Sequence, residues 1–507
     1  MSRGSSADPG LGRLADAILV PPFPGHAAPD WVLAALEAGL AGVTLFGPNI
    51  ASEEQLAALT ARLRQAADEP ILAIDEEGGD VTRLAHRTGS RYPGNAALGA
   101  VDDTGLTEAV YRALGSDLLA LGLNLDLAPS VDVNTVPDNP VIGTRSFGPD
   151  TSLVARHAAA AVRGLQRAGV AACAKHFPGH GSTRTDTHHA IATVDASLDL
   201  LAQRDLPPFR AAIAAGARAI MPGHLRVPAL TGDLPASLSA PALTGLLRGD
   251  LGFTGVITSD ALEMRALSGP FGIPEAAVRA VAGGVDLLCL GRDTDRKTYL
   301  AVREALVTAV SDGRTPASRL EDAAARVAEL RSWLARARSS ADADGGRRGA
   351  GADGADIGLT AARRAIRADP PAVPVPEGAA ARPLVVELVP PANIAAGSVP
   401  WGLGAWVPAG SLIRLSTGSP AAGLADQVAS LLAGAEGRNL FIVVRDAHRH
   451  PAAQEMVTRL VTGRPDATVV EMGLPVWRPP AGGYLATYGA ARTSSLAAAE
   501  VLGLTTA

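Results

Sequence analysis

Residues Val170–His189, VAACAKHFPGHGSTRTDTHH, decide how the rest of the chain is read. Small apolar residues run into Lys175-His176, and a loop rich in glycine and histidine follows. A short apolar run reads as a buried strand, and charge at its end marks the point where the strand reaches solvent. Comparable runs lie on both sides: Ala17–Val20, Gly42–Phe46, Ile71–Asp75, Leu123–Leu127, Ala219–Pro222, Val256–Asp260 and Val285–Leu290. Between them lie amphipathic stretches such as Pro29–Ala38, Glu53–Ala66, Leu106–Leu121, Ser152–Ala168 and Leu198–Ala215. Alternation of this kind signals α/β architecture with a parallel sheet. Eight units in about 290 residues favour a closed (β/α)8 TIM barrel, with an open doubly wound sheet as the alternative.

Helices near Asp295–Val310 and Pro316–Ser339 close this catalytic-sized domain, residues 1–338. Residues 339–358 are rich in Gly, Ala and Asp without a hydrophobic period, and read as a flexible linker. From residue 359 to 507, strands at Leu384–Val389, Ser411–Leu415, Asn439–Val444 and Ala467–Glu471 alternate with helices near Leu424–Leu432 and Ala452–Val461. This predicts a second, smaller α/β domain. The total of 507 residues suits two cores better than one.

A net charge of −6 without a Lys/Arg cluster argues against nucleic acid as a partner. No apolar run is long enough to cross a membrane. The first residues, MSRGSSADPGLGRLADAILV, lack a basic segment followed by an apolar one, so the cytoplasm is the expected compartment. Cys173 and Cys289 each sit in a strand-like run and are expected to be buried, reduced thiols.

Reactive groups of a parallel barrel gather at the C-terminal ends of its strands. The residues there are Asp75-Glu76-Glu77-Gly78-Gly79 after strand three, Lys175-His176 at strand five, His224 at strand six and Ser259-Asp260 at strand seven. The loop from Lys175 to His189 holds four of the ten histidines and the pair Asp186-x-His188. An aspartate beside an imidazole orients it and favours its charged form. The same loop also admits a metal reading through His176, His180, Asp186 and His188, against which the adjacent Lys175 and the absence of a compact zinc spacing both weigh. Asp260 ends the apolar run GVIT, where it either caps the next helix or serves chemistry.

Taken together, these motifs resemble family-3 glycoside hydrolases, in the branch of exo-acting β-N-acetylglucosaminidases. The resemblance runs through IDEEGG (Ile74–Gly79), APSVDVN (Ala128–Asn134), NPVIGTRSFG (Asn139–Gly148), KHFPGHG (Lys175–Gly181), PASLS (Pro235–Ser239) and LGFTGVITSDALEM (Leu251–Met264). KHFPGHG followed by Asp-x-His separates this branch from the family's β-glucosidases. The C-terminal stretches ATVVEMGLP and TSSLAAAEVLG are similar to the αβα sandwich domain of two-domain members.

The resemblance implies a catalytic nucleophile at Asp260 and an acid/base at His188, with Asp186 as the partner of His188. It implies that Asp75, Arg83, Arg145, Lys175 and His176 hold the terminal GlcNAc. Asp80 is a departure, because the family commonly has Arg there; an altered local salt bridge or substrate fit is the expected consequence. The implied reaction is retaining hydrolysis of terminal β-linked GlcNAc through a covalent glycosyl-enzyme, on chitobiose-type or peptidoglycan-derived fragments. No metal and no organic cofactor is implied, and the partner is a small carbohydrate. The competing readings are a phosphorylase using the same site, a β-glucosidase-type member, a metal-dependent hydrolase and a catalytically inactive sugar-binding barrel. No oligomeric state is legible.

Overall fold

The computed structural model describes residues 9–185, 191–343, 351–370, 382–391, 397–417 and 423–505. The chain divides into two compact units: Met1–Glu76, Thr107–Val133 and Pro149–Gly351 in the first, and Glu77–Leu106, Asn134–Gly148 and Ala352–Ala507 in the second. The division is therefore not a single cut near residue 350. Two excursions of the barrel chain, after its third and fourth strands, belong to the second unit.

The first unit is built on eight short strands: β1 (Leu19–Val20), β2 (Gly42–Leu45), β3 (Ile71–Ile74), β4 (Leu125–Asp126), β5 (Ala171–Phe177), β6 (Ala219–Pro222), β7 (Val256–Ile257) and β8 (Leu288–Cys289). Strands β2 to β7 pair in chain order, all parallel. Strand β8 pairs with β1, also parallel. Two contacts close the ring. Ser259 N–H donates to Leu287 O at 2.8 Å, and Thr44 N–H donates to Pro21 O at 3.4 Å. The barrel expected from the apolar runs is therefore present, and the open sheet is not.

Residues of both faces are buried, among them Val43, Leu45, Ile71, Leu72, Ala172, Cys173, Ile220, Ile257 and Leu288. A strand covered by helices outside and packed side chains inside has no polar face, which is why its sequence is a continuous apolar run. The surrounding helices start where a short polar side chain accepts an N–H of the first turn: Ser52 from Gln55, Asp150 from Leu153 and Asp295 from Thr298. The stretch Leu198–Ala215, expected as one helix, is two, Leu198–Arg204 and Leu206–Ala214. Pro207 and Pro208 have no N–H to continue the first helix, and the break falls just before them.

The second unit holds a six-stranded sheet of β9 (Arg367–Asp369), β10 (Pro383–Val389), β11 (Leu412–Ser416), β12 (Asn439–Val444), β13 (Thr468–Glu471) and β14 (Gly483–Ala486). Their spatial order is β9-β14-β13-β12-β10-β11, parallel except for β9. Leu384, Val386 and Ile442 face the helices Leu424–Gly434 and Pro451–Gly463, burying against Val428, Leu431, Val457 and Leu460. Val385, Phe441 and Val443 face the other way, with Ala498 and Ala499 of helix Arg492–Val501. Period-two alternation thus makes a three-layer αβα sandwich.

The stretch 339–358, expected as a flexible linker, is helical at both ends. Helix Ala317–Ala343 runs into it and helix Gly351–Ala365 begins inside it; residues 344–350 lie outside the described part. One of its glycines has a packing reason. A Cβ at Gly358 would lie 2.1 Å from the Arg91 carbonyl oxygen, so the helix approaches that backbone only because the side chain is absent.

Candidate active site

In the first unit, Asp75 follows β3 and Lys175-His176 lie near the end of β5. The Lys175 ammonium is buried and ion-paired with the Asp75 carboxylate, which is 19 % exposed. A buried ammonium is tolerated only with such a counter-charge. Asp126, at the end of β4, lies beside them but plays a different part. Burial pushes its carboxyl well above the usual range; the Glu76 N–H at 3.0 Å works against this, and the nearby Glu76 and Asp75 add to it. Its Oδ2 has no hydrogen-bond partner among the described residues. Asp75 supplies the counter-charge of Lys175.

His176 is organised by a residue to which the sequence reading gave no role. Asp132, fully buried after β4, accepts His176 Nδ1–H at 2.8 Å, the His180 N–H at 2.6 Å and the Ser130 hydroxyl at 3.1 Å. Burial alone would raise the Asp132 carboxyl. The imidazoles of His176 and His180 and the hydrogen bonds outweigh it, and hold the group below the usual carboxylate range. Because a carboxylate only accepts, the hydrogen of His176 is fixed on Nδ1. His180 turns its own Nδ1 to Thr183 Oγ1 at 2.6 Å and stands edge-on to His176 at 5.8 Å. The loop can fold so tightly because of Gly179, with φ +134°. A Cβ there would lie 2.6 Å from Asp205 Cβ.

Asp260, half-buried, follows β7, and its Oδ1 accepts the Ala261 N–H at 2.7 Å. The backbone on either side is pinned. Ser259 Oγ accepts the Cys289 N–H at 2.9 Å. His224 donates from Nε2 to Ala261 O at 3.0 Å, while its Nδ1 accepts the Ser237 hydroxyl at 2.8 Å. His224 and the serine of PASLS therefore support the loop carrying Asp260. Burial raises the Cys173 thiol well above its ordinary range. Cys289 is likewise pushed up, to about 12, chiefly by burial. Both cysteines are buried and free.

In the second unit, Arg145 makes a two-pronged pair with Glu77, at 2.9 and 2.7 Å, and donates to Val141 O at 3.2 Å. Such a fork fixes the plane of the guanidinium. Arg83 is half-buried in the same excursion as Glu77. Asp80 pairs with Arg445 at 3.2 Å. Asp186 and His188 lie outside the described residues. Of the expected site residues, the structure thus brings Asp75, Lys175, His176 and Asp260 to the strand ends of the barrel and places Arg83 and Arg145 in the second unit.

Residues 26–330 match the family described as "Glycosyl hydrolase family 3 N terminal domain". Beta-hexosaminidase of Stenotrophomonas maltophilia (strain R551-3) is 39% identical over 280 residues, 53% of this chain and 82% of that protein. Beta-hexosaminidase A of Pseudoalteromonas piscicida is 33% identical over 327 residues; the match spans 59% of this chain and only 54% of that relative's length. The solved structure of a glycoside hydrolase family 3 beta-N-acetylglucosaminidase from Paenibacillus sp. str. FPU-7 superposes with a TM-score of 0.82 at 32% identity, covering 98% of this chain and 97% of that one. With residues 26–330 matched, the chain belongs to glycosyl hydrolase family 3.

Proposed function

We propose that the chain is a retaining exo-β-N-acetylglucosaminidase that removes terminal β-linked GlcNAc from chitobiose-type or wall-derived fragments in the cytoplasm. The observation that carries this reading is that Asp260, the Asp75–Lys175 pair and the Asp132-held His176 all stand at the C-terminal ends of barrel strands. Lysine, carboxylate and an imidazole of fixed tautomer suit a ring of sugar hydroxyls, since charge-assisted hydrogen bonds are strong and depend on direction. The family resemblance assigns Arg83 and Arg145 to sugar hydroxyls as well.

Asp260 attacks the anomeric carbon and the leaving oxygen departs with a proton from His188, giving a glycosyl-enzyme ester and neutral imidazole. His188 then takes a proton from water, which attacks the same carbon and releases Asp260. Asp186 stabilises the imidazolium and fixes its tautomer. The retained configuration follows from two inversions at one carbon.

The test is turnover of 4-nitrophenyl β-N-acetylglucosaminide and β-glucoside by the wild type, Asp260→Ala and His188→Ala. Release from the N-acetylated substrate alone is expected, with Asp260→Ala inactive. His188→Ala should lose about 100-fold or more on chitobiose but less on the aryl glycoside, whose leaving group needs little protonation. Turnover of the glucoside alone would overturn the substrate, and formation of GlcNAc-1-phosphate whenever phosphate is present would make the chain a phosphorylase. Cell fractionation tests the compartment; enzyme found outside the cytoplasmic fraction overturns that part.

A further inference from the structure

The charge reversal at position 80 is the motif that the reaction above leaves unused. Asp80 is buried, with its side chain 4 % exposed, and three donors meet its carboxylate. Oδ2 accepts the Thr144 hydroxyl at 2.6 Å and faces Arg445 at 3.2 Å, while Oδ1 accepts the Ala490 N–H at 2.9 Å. Thr144 precedes Arg145 directly. Arg445 follows β12 and Ala490 follows β14, so both belong to the C-terminal sheet. One carboxylate therefore ties three pieces of the second unit: the turn that leads to Arg83, the segment that carries Arg145, and the sheet.

The turn has little freedom of its own. Glu77 N–H donates to Val81 O at 3.0 Å and Gly79 N–H to Tyr92 O at 2.8 Å. A Cβ at Gly79 would lie 2.5 Å from Gly94 Cα. With Glu77 gripping Arg145 and Asp80 gripping Thr144, two bonds three residues apart hold the same pair of segments in register. The second also reaches the C-terminal sheet's loops, through Arg445 and Ala490.

We propose that Asp80 is a positioning residue for sugar binding, which, through Arg445 and Ala490, makes the placement of Arg83 and Arg145 depend on the C-terminal sheet. The inference rests on the assignment of those two arginines to the sugar. Asp80 and Arg445 form a pair of opposite charges in which each depends on the other.

The experiment compares steady-state constants on 4-nitrophenyl β-N-acetylglucosaminide for Asp80→Asn, Arg445→Met, Arg445→Lys, the double variant Asp80→Asn/Arg445→Met, and Arg83→Met. Loss of a charge-assisted contact predicts a KM about tenfold higher for Asp80→Asn and for Arg445→Met, with kcat within about twofold of wild type. Arg445→Lys, which keeps the charge, should recover most of the difference. The double variant should be no worse than either single, because both remove one contact. Arg445 is 16 % exposed, so its variants remain informative if Asp80→Asn does not fold. Unchanged KM in the single variants, additive effects in the double, or a fall in kcat alone overturns the inference. If Arg83→Met leaves KM unchanged, the assignment of the sugar-binding arginines fails instead.

Discussion

Replacing Asp132 by Asn changes one oxygen for an amide nitrogen in a buried group that serves two histidines. Its carboxylate accepts from His176 Nδ1, the His180 N–H and the Ser130 hydroxyl, at 2.8, 2.6 and 3.1 Å. An Asn can keep its carbonyl oxygen against the His180 N–H. Its NH2 then faces His176 Nδ1–H, donor against donor, and His176 must move its hydrogen to Nε2 or turn away. Two bonds to a charged group are lost at about 1.5–3 kcal/mol each, and the tautomer change and a rotated Ser130 return part of that. A net loss of about 3 kcal/mol follows, and a Tm lower by roughly 5–10 °C for a domain of this size. If the same displacement reaches bound sugar, kcat/KM falls about 100-fold, since each 1.36 kcal/mol is a factor of about ten. Thermal unfolding and turnover of the aryl N-acetylglucosaminide measure both. The sign of the pH dependence is fixed, because the folded Asp132 carboxyl lies below its unfolded value. Its contribution is complete above the unfolded pKa of about 3.9 and is lost as pH falls further. The gap between wild type and variant should hold from about pH 8 to 5 and narrow below about 4. A variant within about 1 °C and about threefold of wild type at pH 7 would refute the role given to Asp132.

Two further substitutions test the surroundings. Burial raises the folded Asp126 carboxyl above its unfolded value, so the group disfavours the folded state increasingly as pH rises past about 3.9. Asp126→Asn retains the acceptor for the Glu76 N–H, so it should raise Tm at pH 8 and give no gain near pH 4; a lower Tm at pH 8 would show that the ionised carboxylate is used. Gly358→Ala places a methyl group 2.1 Å from the Arg91 carbonyl and should cost about 1–3 kcal/mol in urea unfolding. An Ala variant as stable as wild type would mean that the helix carrying it has room to shift.

The barrel was legible because its strands are buried on both faces, and such strands announce themselves as apolar runs. All eight runs coincide with strands of the ring, from Ala17–Val20 to Val285–Leu290. The polar residues that end them, Asp75, Lys175, His176 and Asp260, were legible as interruptions of those runs. Asp132 and Asp126 break the same rule, Asp126 inside the apolar LNLDL and Asp132 in APSVDVN, yet neither was given a role. The sequence shows that a buried carboxylate needs a partner, but not that the partner is an imidazole on the next strand. The first half of helix Gly351–Ala365, up to residue 358, reads as linker because glycine usually means freedom, whereas Gly358 is there for close approach. Strands β9 and β14 were missed for another reason. Each has only three or four residues, RAD and GYLA, too few for a period to be seen.

The strand-end groups in the barrel lean on neighbours: Lys175 on Asp75, His176 on Asp132, and the Asp260 loop on His224 and Ser237. Such a site is oriented before substrate arrives, so little reorganisation is left for the reaction itself. The arrangement separates two kinds of substitution. Removing a support, as in Asp132→Asn or Ser237→Ala, takes away a bond that the folded state uses, so Tm and kcat/KM should fall together. Removing the nucleophile takes away a half-buried carboxylate from the barrel end that already carries Asp75 and Asp126. Asp260→Ala should therefore abolish turnover while leaving Tm equal to or above that of the wild type. Differential scanning calorimetry decides the matter. A Tm for Asp260→Ala well below wild type would mean that Asp260 is itself one of the supports, and that another carboxylate has to be sought as the attacking group.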